Sequence, residues 1–298
     1  MGRRYRGQIL VLTYPMIGNY GVPTFEEKDA FGLPAYFESK DVQIAGLVVS
    51  SYSEDPSHWA SARSLGAWLQ AAGVPAIAGV DTRLLTKRIR VEGALLGRLD
   101  VAGAPVVEGF EDPNLRHLVA EVSTKEVTRY GAGNSPTIVA LDCGMKFNIV
   151  RYMVETHGVE MVVVPHDYDL AANPANIAWD GVFCSNGPGD PARCGATIAS
   201  LKWAIAQDKP VFGICLGNQI LALAAGAKTY KMKYGNRGAP RGKRKRARPS
   251  DDIFYESPSS ERGAVRSARS PLCSTRSPEV SRTRPLSPEI RSPRPVTF

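Results

Sequence analysis

The sequence lacks the run of about 18 apolar residues that a membrane-spanning helix needs, which excludes an integral membrane protein. Its 5 cysteines among 298 residues are too few and too scattered for a disulfide framework, and none forms the Cys-x-x-Cys pair of a zinc site. No apolar signal segment opens the chain. We therefore predict no metal site and a reducing compartment, the cytoplasm, with the mitochondrion as the alternative.

Most of the chain carries no net charge, although the whole sequence carries +8. Residues 239–298 hold 14 of the 37 basic and 6 of the 29 acidic residues, so the first 238 residues hold 23 of each. Those 238 residues give no electrostatic reason to expect nucleic acid as a partner. Such a partner is expected only through the tail, where the basic run 241–248 is either a nucleic-acid patch or a solvated charge run.

Composition divides the chain into four segments. Residues 1–123 alternate short β-rich runs with helical stretches, and residues 124–136 are polar and glycine-containing, which indicates a linker. Residues 137–238 alternate apolar runs with helical stretches. Residues 239–298 contain 9 prolines and 11 serines with almost no apolar periodicity, so we predict a disordered Arg/Ser/Pro-rich tail.

Short apolar runs separated by helical stretches are typical of a mostly parallel sheet with helices on both faces. We therefore predict the α/β class: an incomplete amino-terminal α/β domain, then the first half of a doubly wound, mostly parallel sheet. The predicted strands span residues 8–13, 44–50, 137–141, 160–165, 181–185 and 210–214. The predicted helices span residues 59–72, 81–91, 148–157, 196–207 and 216–225.

The most informative motif is Gly213-Ile-Cys215-Leu-Gly217, which joins a predicted strand directly to a predicted helix. Glycines two positions before and after the cysteine let the chain turn sharply and expose the thiol above the sheet, as in a nucleophile elbow. A helix amino end favours thiolate, and the backbone N–H of Leu216 is then placed to stabilise an oxyanion. The alternative is a buried structural cysteine in an ordinary turn.

A glycine loop follows the preceding predicted strand and has the sequence Cys184-Ser-Asn-Gly187-Pro-Gly189-Asp-Pro. Ligands bind outside the carboxyl ends of strands in doubly wound sheets, so this loop and Cys215 can face one crevice. Glycines also let backbone amides approach a ligand closely. The alternative is an ordinary tight turn that binds nothing.

Histidine, the usual base for a thiol nucleophile, is scarce in this sequence. All 4 histidines precede Cys215, and their helix or loop surroundings predict structural or solvated roles. His166, in the loop after a predicted strand, is the best placed of them to replace a base. We therefore expect a nucleophile for which the chain supplies no obvious base.

Seven segments, in order along residues 8–233, carry a resemblance to a known family. They are QILVLTYPMIGN (8–19), GVDTRLLTK (79–87), AEVS (120–123), LDCGMK (141–146), SNGPGDP (185–191), FGICLG (212–217) and GAKTYKMK (226–233). Together they resemble the small chain, or glutaminase part, of carbamoyl-phosphate synthase in the version fused into long eukaryotic polypeptides. The predicted domains are then the small-chain amino-terminal domain (1–123, partial) and a class I glutamine amidotransferase domain (137–238, partial).

The resemblance implies a residue role at each matching position. Cys215 would attack the side-chain amide of glutamine, form a thioester and release ammonia. Gly187, Gly189, Leu216 and Gln219 match positions that hold the glutamine or its oxyanion. The ammonia would pass to a synthetase large chain or synthetase domains that use ATP, magnesium and bicarbonate, so we expect no cofactor in this chain. The retained cysteine distinguishes the chain from urea-cycle relatives that lack the nucleophile.

The sequence also departs from the family pattern. Arg4 stands where the family has a glutamine-contacting serine, and Asn218 stands where it has a histidine. The family's Gln-Asn-His-Gly-Phe loop and its His-Pro-Glu segment have no counterpart after Gly238. The resemblance therefore implies that the triad His and Glu are missing and that the chain is truncated at both ends.

These observations predict the ammonia-supplying part of a glutamine-dependent carbamoyl-phosphate synthase, for pyrimidine or arginine biosynthesis, with impaired or no turnover in this chain alone. The alternative is a non-catalytic interaction protein that docks a synthetase chain or binds RNA through its basic tail.

Overall fold

The smaller of the two main sheets lies in the first hundred residues. A computed structural model describes residues 2–100, 105 and 108–232, together with the backbone of 252–255. A parallel three-stranded sheet contains, in spatial order, β1 (Ile9–Val11), β2 (Gly46–Val48) and β3 (Ala76–Ile77). Two helices accompany it, α1 (Leu65–Ala71) and α2 (Thr82–Glu92). The predicted mixed α/β character of this region is confirmed.

The larger sheet follows the short helix α3 (Leu118–Val122). Its strands are β4 (Thr128–Tyr130), β5 (Thr137–Asp142), β6 (Glu160–Pro165), β7 (Gly181–Cys184) and β8 (Val211–Gly213). Its helices are α4 (Phe147–Arg151), α5 (Gly195–Ala206) and α6 (Leu216–Ala224). The spatial order is β4-β6-β5-β7-β8, and all neighbours are parallel except β4 and β6. The predicted fold class is confirmed.

Side chains of the larger sheet alternate between two cores, because successive residues of a strand point to opposite faces. One core joins the sheet to α5 and α6 and includes Val139, Leu141, Val182, Leu201 and Ile220. The other joins it to α4 and to the first hundred residues and includes Leu33, Ala140, Phe147, Val150 and Phe183. Helical layers on both faces leave the carboxyl ends of the strands as the place for a site.

A partly buried ion pair ties the first hundred residues to α4. Arg151 Nε lies 2.6 Å from Asp29 Oδ2, and Arg151 Nη2 donates to the carbonyl of Pro34 at 2.6 Å. Burial raises the pKa of Asp29, but the bonds from Arg151 and from the backbone N–H groups of Leu33 and Phe31 outweigh burial, so the pKa lies below its usual value. The two sheet regions therefore share a polar as well as an apolar contact.

Three local features differ from the sequence prediction. The helix predicted over residues 59–72 begins only at Leu65, where the Ser64 side chain caps it, and Trp59 is 84% exposed. The helix predicted over residues 148–157 begins at Phe147 and changes at Tyr152–Thr156 into a π-helical turn. Strand β4 lies inside the segment predicted as a linker, where it pairs antiparallel to β6 at the sheet edge.

The last described element is a short parallel pair formed by β9 (Lys228–Lys231) and β10 (Asp252–Tyr255). Strand β10 lies within the segment 239–298 for which the sequence predicts a disordered tail, and the rest of that segment lies outside the described residues. The domain boundaries at 123, 136 and 238 stay predictions. Within the described residues, no helix combines the length and hydropathy that a membrane span requires.

Candidate active site

The predicted site residues lie in segments that follow three neighbouring strands, at the carboxyl end of the larger sheet. Strands β5, β7 and β8 are adjacent and parallel, so the segments that follow them meet at their carboxyl ends. These segments are the turn 143–146 after β5, the glycine loop 185–190 after β7 and the single turn through Cys215 after β8. The predicted convergence of the glycine loop and the cysteine at one edge is confirmed.

Cys215 occupies a sharp turn between β8 and α6. Its backbone has φ 54° and ψ −114°, a conformation that an L-residue adopts only at a cost, and the N–H of Gly217 closes the turn on the carbonyl of Ile214 at 2.9 Å. A Cβ on Gly213 would lie 2.5 Å from the carbonyl oxygen of Gly217. The predicted strand–turn–helix geometry is therefore confirmed, and Gly213 is a glycine because the turn brings its two arms together.

The glycine loop packs directly against this turn. A Cβ on Gly217 would overlap the carbonyl oxygen of Cys184 and lie 2.8 Å from that of Ser185. A Cβ on Gly187 would overlap the carbonyl oxygen of Cys143 and lie 2.8 Å from Leu216 Cδ2. Only glycine fits at either position, because the obstructing atoms at each include backbone that cannot move aside cheaply. Packing against the turn at Cys215 therefore requires these glycines, and ligand binding by the loop stays a prediction.

The other predicted site residues lie at different distances from the turn. Leu216, the first residue of α6, is buried, and no described residue accepts a hydrogen bond from its backbone N–H. Gln219 is also buried, one helical turn after Cys215, and its Oε1 receives no hydrogen bond within the described part of the chain. Gly189 has φ 85° and faces Leu118, to whose Cβ an added Cβ would lie 3.4 Å.

Two further amides beside the turn, like that of Gln219, have an oxygen that receives no hydrogen bond from the described residues. The Oδ1 atoms of Asn186 and Asn218 are shielded from solvent and receive no hydrogen bond from any described residue. A buried carbonyl oxygen without a donor is unfavourable, so each of these three amides has an unused acceptor near the turn. Sequence reasoning missed Asn186, although its position inside the glycine loop was visible.

The remaining described cysteines are buried beneath this edge. Cys143 Sγ lies 3.8 Å from Cys184 Sγ, and the contact with Cys184 together with burial raises the pKa of Cys143 well above its usual value. Burial also raises the pKa of Cys194. Cys215, by contrast, is partly exposed. The thiolate is the reactive form of cysteine, and burial disfavours it. Among the four described cysteines, Cys215 is therefore the one best placed to react.

His166, the histidine that the sequence favours as a replacement base, lies far from Cys215 across the larger sheet. His166 follows β6, and three strand-to-strand steps separate β6 from β8, about 14 Å at the usual spacing. Its backbone N–H donates to Ser123 Oγ and its carbonyl accepts from Thr197 Oγ1, while burial lowers the pKa of its ring. His117 caps α3 by accepting from the N–H of Ala120. His117 therefore has a structural role, as predicted, and the role of the His166 ring stays a prediction.

The described residues contain no group of three or more His, Cys, Asp or Glu side chains arranged to hold a metal ion. The arrangement can instead support covalent chemistry by a thiol. Cys215 offers a partly exposed thiol, the N–H of Leu216 follows it in the chain, and the loop around Gly187 packs against Leu216. The amide oxygens of Asn186, Asn218 and Gln219 receive no hydrogen bond from the described residues.

Two family models match the chain. The model for the carbamoyl-phosphate synthase small chain, CPSase domain, matches residues 2–99. The model for class-I glutamine amidotransferases matches residues 139–266, which include every predicted site residue. This second match extends past residue 238, where the sequence analysis ended the domain.

Long and short proteins of this kind are similar to the chain. The multifunctional protein CAD of Squalus acanthias is 52% identical over 237 residues, which is 78% of this chain and 10% of that protein. The carbamoyl phosphate synthase arginine-specific small chain of Emericella nidulans is 49% identical over 238 residues, 78% of this chain and 52% of that protein. The mitochondrial carbamoyl-phosphate synthase [ammonia] of Homo sapiens is 47% identical over 236 residues, 78% of this chain and 15% of that protein. The chain thus spans from about a tenth to about half of these relatives.

Proposed function

This chain belongs to the carbamoyl-phosphate synthase small-chain family, and we propose that it carries the glutamine-hydrolysing site that supplies ammonia for carbamoyl phosphate. The observation that carries the proposal is the backbone of Cys215, which has φ 54° and is packed against the loop around Gly187. Strain of this kind persists only where the surrounding structure enforces it, and it is common at sites that perform chemistry.

The proposed reaction begins when Cys215 Sγ attacks the side-chain amide carbon of glutamine. The carbonyl oxygen becomes an oxyanion, for which the backbone N–H groups of Leu216 and Gly187 are the proposed donors. The carbon–nitrogen bond then breaks, a proton passes to the nitrogen, and ammonia leaves behind a thioester on Cys215. Water attacks the thioester carbon and releases glutamate and the thiol.

We assign glutamine positioning to Gln219 and Gly189. The amide of Gln219 presents an Oε1 acceptor that receives no hydrogen bond from the described residues, which suits the ammonium group of an amino acid substrate. Gly189 keeps the loop backbone in a left-handed conformation with φ 85°, which supports its role in shaping the loop. These roles follow the family positions that Gln219 and Gly189 occupy.

We propose that the four histidines of the sequence do not supply the proton transfer that the reaction needs. No histidine follows His166 in the sequence, and the strand order keeps His166 away from Cys215. A thiol and its base act as one unit, so removing either lowers turnover by orders of magnitude. We propose that turnover requires a base other than these histidines. The chain alone is then expected to release ammonia far more slowly than about 1 s⁻¹, the lower end of ordinary enzyme turnover numbers.

The proposed partner is a synthetase large chain or a set of synthetase domains. The name of one relative specifies a small chain, and another relative is a multifunctional protein of which the matched part is 10%. Both names support a glutaminase part that works with a separate synthetase part. The ammonia would be consumed there with bicarbonate and ATP, and the magnesium that accompanies the ATP would bind there too.

Covalent labelling tests the proposed site without requiring turnover. The chloromethyl ketone analogue of glutamine loses chloride when a thiolate forms a sulfur–carbon bond to its terminal carbon. We expect mass spectrometry to find this adduct at Cys215 and not at Cys143, Cys184 or Cys194, and to find none at these four positions in the Cys215→Ser variant. Labelling spread over all the cysteines, or absent from Cys215, would contradict the proposal.

A further inference from the structure

A buried ion pair joins the amino-terminal turn of the chain to the edge of the sheet that holds the site. Arg3 Nη1 lies 2.6 Å from Asp142 Oδ2, and the two side chains are only 12% and 2% exposed. The guanidinium also lies over the ring of Phe147, 5.7 Å from its centroid. Asp142 ends β5, the strand next to β7, so the pair lies close to the glycine loop rather than in a remote part of the fold.

Asp142 uses both carboxylate oxygens to hold the turn after β5. Its Oδ1 accepts hydrogen bonds from the backbone N–H of Gly144 at 2.9 Å and of Met145 at 2.8 Å. Its Oδ2 accepts from the N–H of Thr124 at 2.9 Å as well as from Arg3. A carboxylate with four donors has one orientation, so it fixes the turn of which Gly144, at φ 126°, is the centre.

The turn after β5 also holds the glycine loop, at three points. Asn186 Nδ2 donates to the carbonyl of Gly144 at 3.0 Å, and the N–H of Cys143 donates to Ser185 Oγ at 2.9 Å. The carbonyl of Cys143 lies so close to Gly187 that no Cβ would fit between them. Gly187 also abuts Leu216, the residue after the nucleophile. A continuous set of contacts therefore runs from Arg3 to the turn at Cys215.

We propose that Arg3 and Asp142 are positioning residues for glutamine: their ion pair sets the turn 143–145, which sets where the Asn186–Gly187 backbone lies relative to Cys215. The inference rests on the proposed function, because it concerns the same glutamine site. Neither residue contacts the reacting atoms. Their effect is on the placement of the loop that receives the substrate, and a displacement of about 1 Å at such a loop is enough to slow a reaction substantially.

A purely stabilising ion pair is the competing explanation, and two reagents distinguish it. Chloroacetamide and the chloromethyl ketone analogue of glutamine both alkylate a thiol and release chloride, but only the glutamine analogue needs the loop. The ratio of their rate constants at Cys215 therefore measures how well the loop is placed to receive glutamine. A change in stability alone alters both rates together and leaves this ratio unchanged.

Three variants and one matched control are compared by this ratio. In Arg3→Gln we expect the glutamine analogue to react about tenfold more slowly, with the chloroacetamide rate within about twofold of the wild type. Arg3→Lys restores the charge and is expected to recover much of the ratio. Arg88→Gln breaks the exposed Arg88–Glu92 pair on α2, of 2.9 Å, and is expected to change neither rate. Asp142→Asn keeps the shape of the side chain but not its charge, and is expected to behave as Arg3→Gln does.

The outcomes separate this inference from the proposed function. Folding of each variant is checked by circular dichroism, and Asp142→Asn provides the test if Arg3→Gln does not fold. An unchanged ratio in whichever of the two folds overturns the inference while leaving selective labelling of the wild type, and hence the proposed function, intact. Absence of selective labelling in the wild type overturns both.

Discussion

Cys184 and Cys215 follow neighbouring parallel strands, yet the backbone places their thiols in different surroundings. Cys184 is the last residue of β7, has no exposed surface and lies against the thiol of Cys143. Cys215 comes after β8 ends, turns through φ 54° and keeps part of its surface accessible. The residue type is the same, so the local turn decides which of the two cysteines keeps exposed surface.

The two glycines around Cys215 explain why the turn occurs at β8 and not at β7. Gly213 and Gly217 allow the arms of the turn to approach to distances that no side chain permits. After Cys184 the next glycine is Gly187, so the chain continues through Ser185 and Asn186 as an open loop. The loop after Cys184 then packs against the turn through Cys215.

The largest expected effect on the difference between Cys184 and Cys215 comes from adding a methyl group at Gly217. The Cβ of Gly217→Ala would overlap the backbone carbonyl of Cys184, so we expect the variant to lose about 3 kcal/mol of unfolding free energy or more. Cys215 labelling by the glutamine analogue should fall with it. Urea denaturation measures the first effect and mass spectrometry the second.

A matched alanine substitution controls for the loss of glycine itself. Gly195, the first residue of α5, has no atom within 4 Å of an added Cβ. We expect Gly195→Ala to be neutral or slightly stabilising. Equal unfolding free energies for Gly217→Ala and Gly195→Ala would show that the close approach at Gly217 has been misjudged.

Glycine substitutions at the two cysteines should have opposite signs. Cys215→Gly removes a side chain from a strained backbone and is expected to raise the unfolding free energy by about 1 kcal/mol. Cys184→Gly removes a buried side chain from a strand and is expected to lower it by about 2 kcal/mol. Urea denaturation of both variants gives the comparison, and a loss of stability in Cys215→Gly would contradict the strained turn.

The smallest expected effect concerns the buried thiols at alkaline pH. Burial raises the pKa of Cys194, so the folded chain keeps this thiol protonated where the unfolded chain ionises it. The stabilising contribution is therefore complete below the unfolded pKa and is lost as the pH rises above it. At about pH 9 the loss is expected to be about 0.8 kcal/mol for this thiol.

The variant Cys194→Ala isolates that contribution. Its unfolding free energy should fall less steeply than that of the wild type between about pH 7 and about pH 9. Chemical denaturation at the two pH values measures both slopes. Identical slopes would mean that Cys194 is not the buried thiol that the fold indicates.

Sequence reasoning located the features that depend on local chemistry. The strand Glu160–Pro165 and the turn at Cys215 were both predicted, because a continuous apolar run and a glycine-flanked cysteine between a strand and a helix are signals carried by neighbouring residues. Strand β4 was missed, since its exposed Thr128 and Arg129 carry no apolar signal and its pairing with β6 comes from the sheet edge. Edge strands of this kind are commonly polar.

Features that join distant parts of the chain were not predictable from one sequence. Arg3 and Asp142 stand 139 positions apart, and nothing in either neighbourhood indicates the other. The signal that was available lies at Asp142 alone, an acidic residue between a buried strand and a glycine, where a carboxylate can accept from the following N–H groups. Attention to that position would have identified the turn, although not its partner.

The most direct measurement of the central claim is protection of Cys215 by glutamine itself. The rate constant for modification by the chloromethyl ketone analogue is measured at increasing glutamine concentrations, with asparagine, one methylene shorter, as the control. We expect glutamine to slow the modification in a saturable way and asparagine to have little effect. A rate that is independent of glutamine, or equal protection by both amino acids, would contradict a glutamine site built on the turn at Cys215.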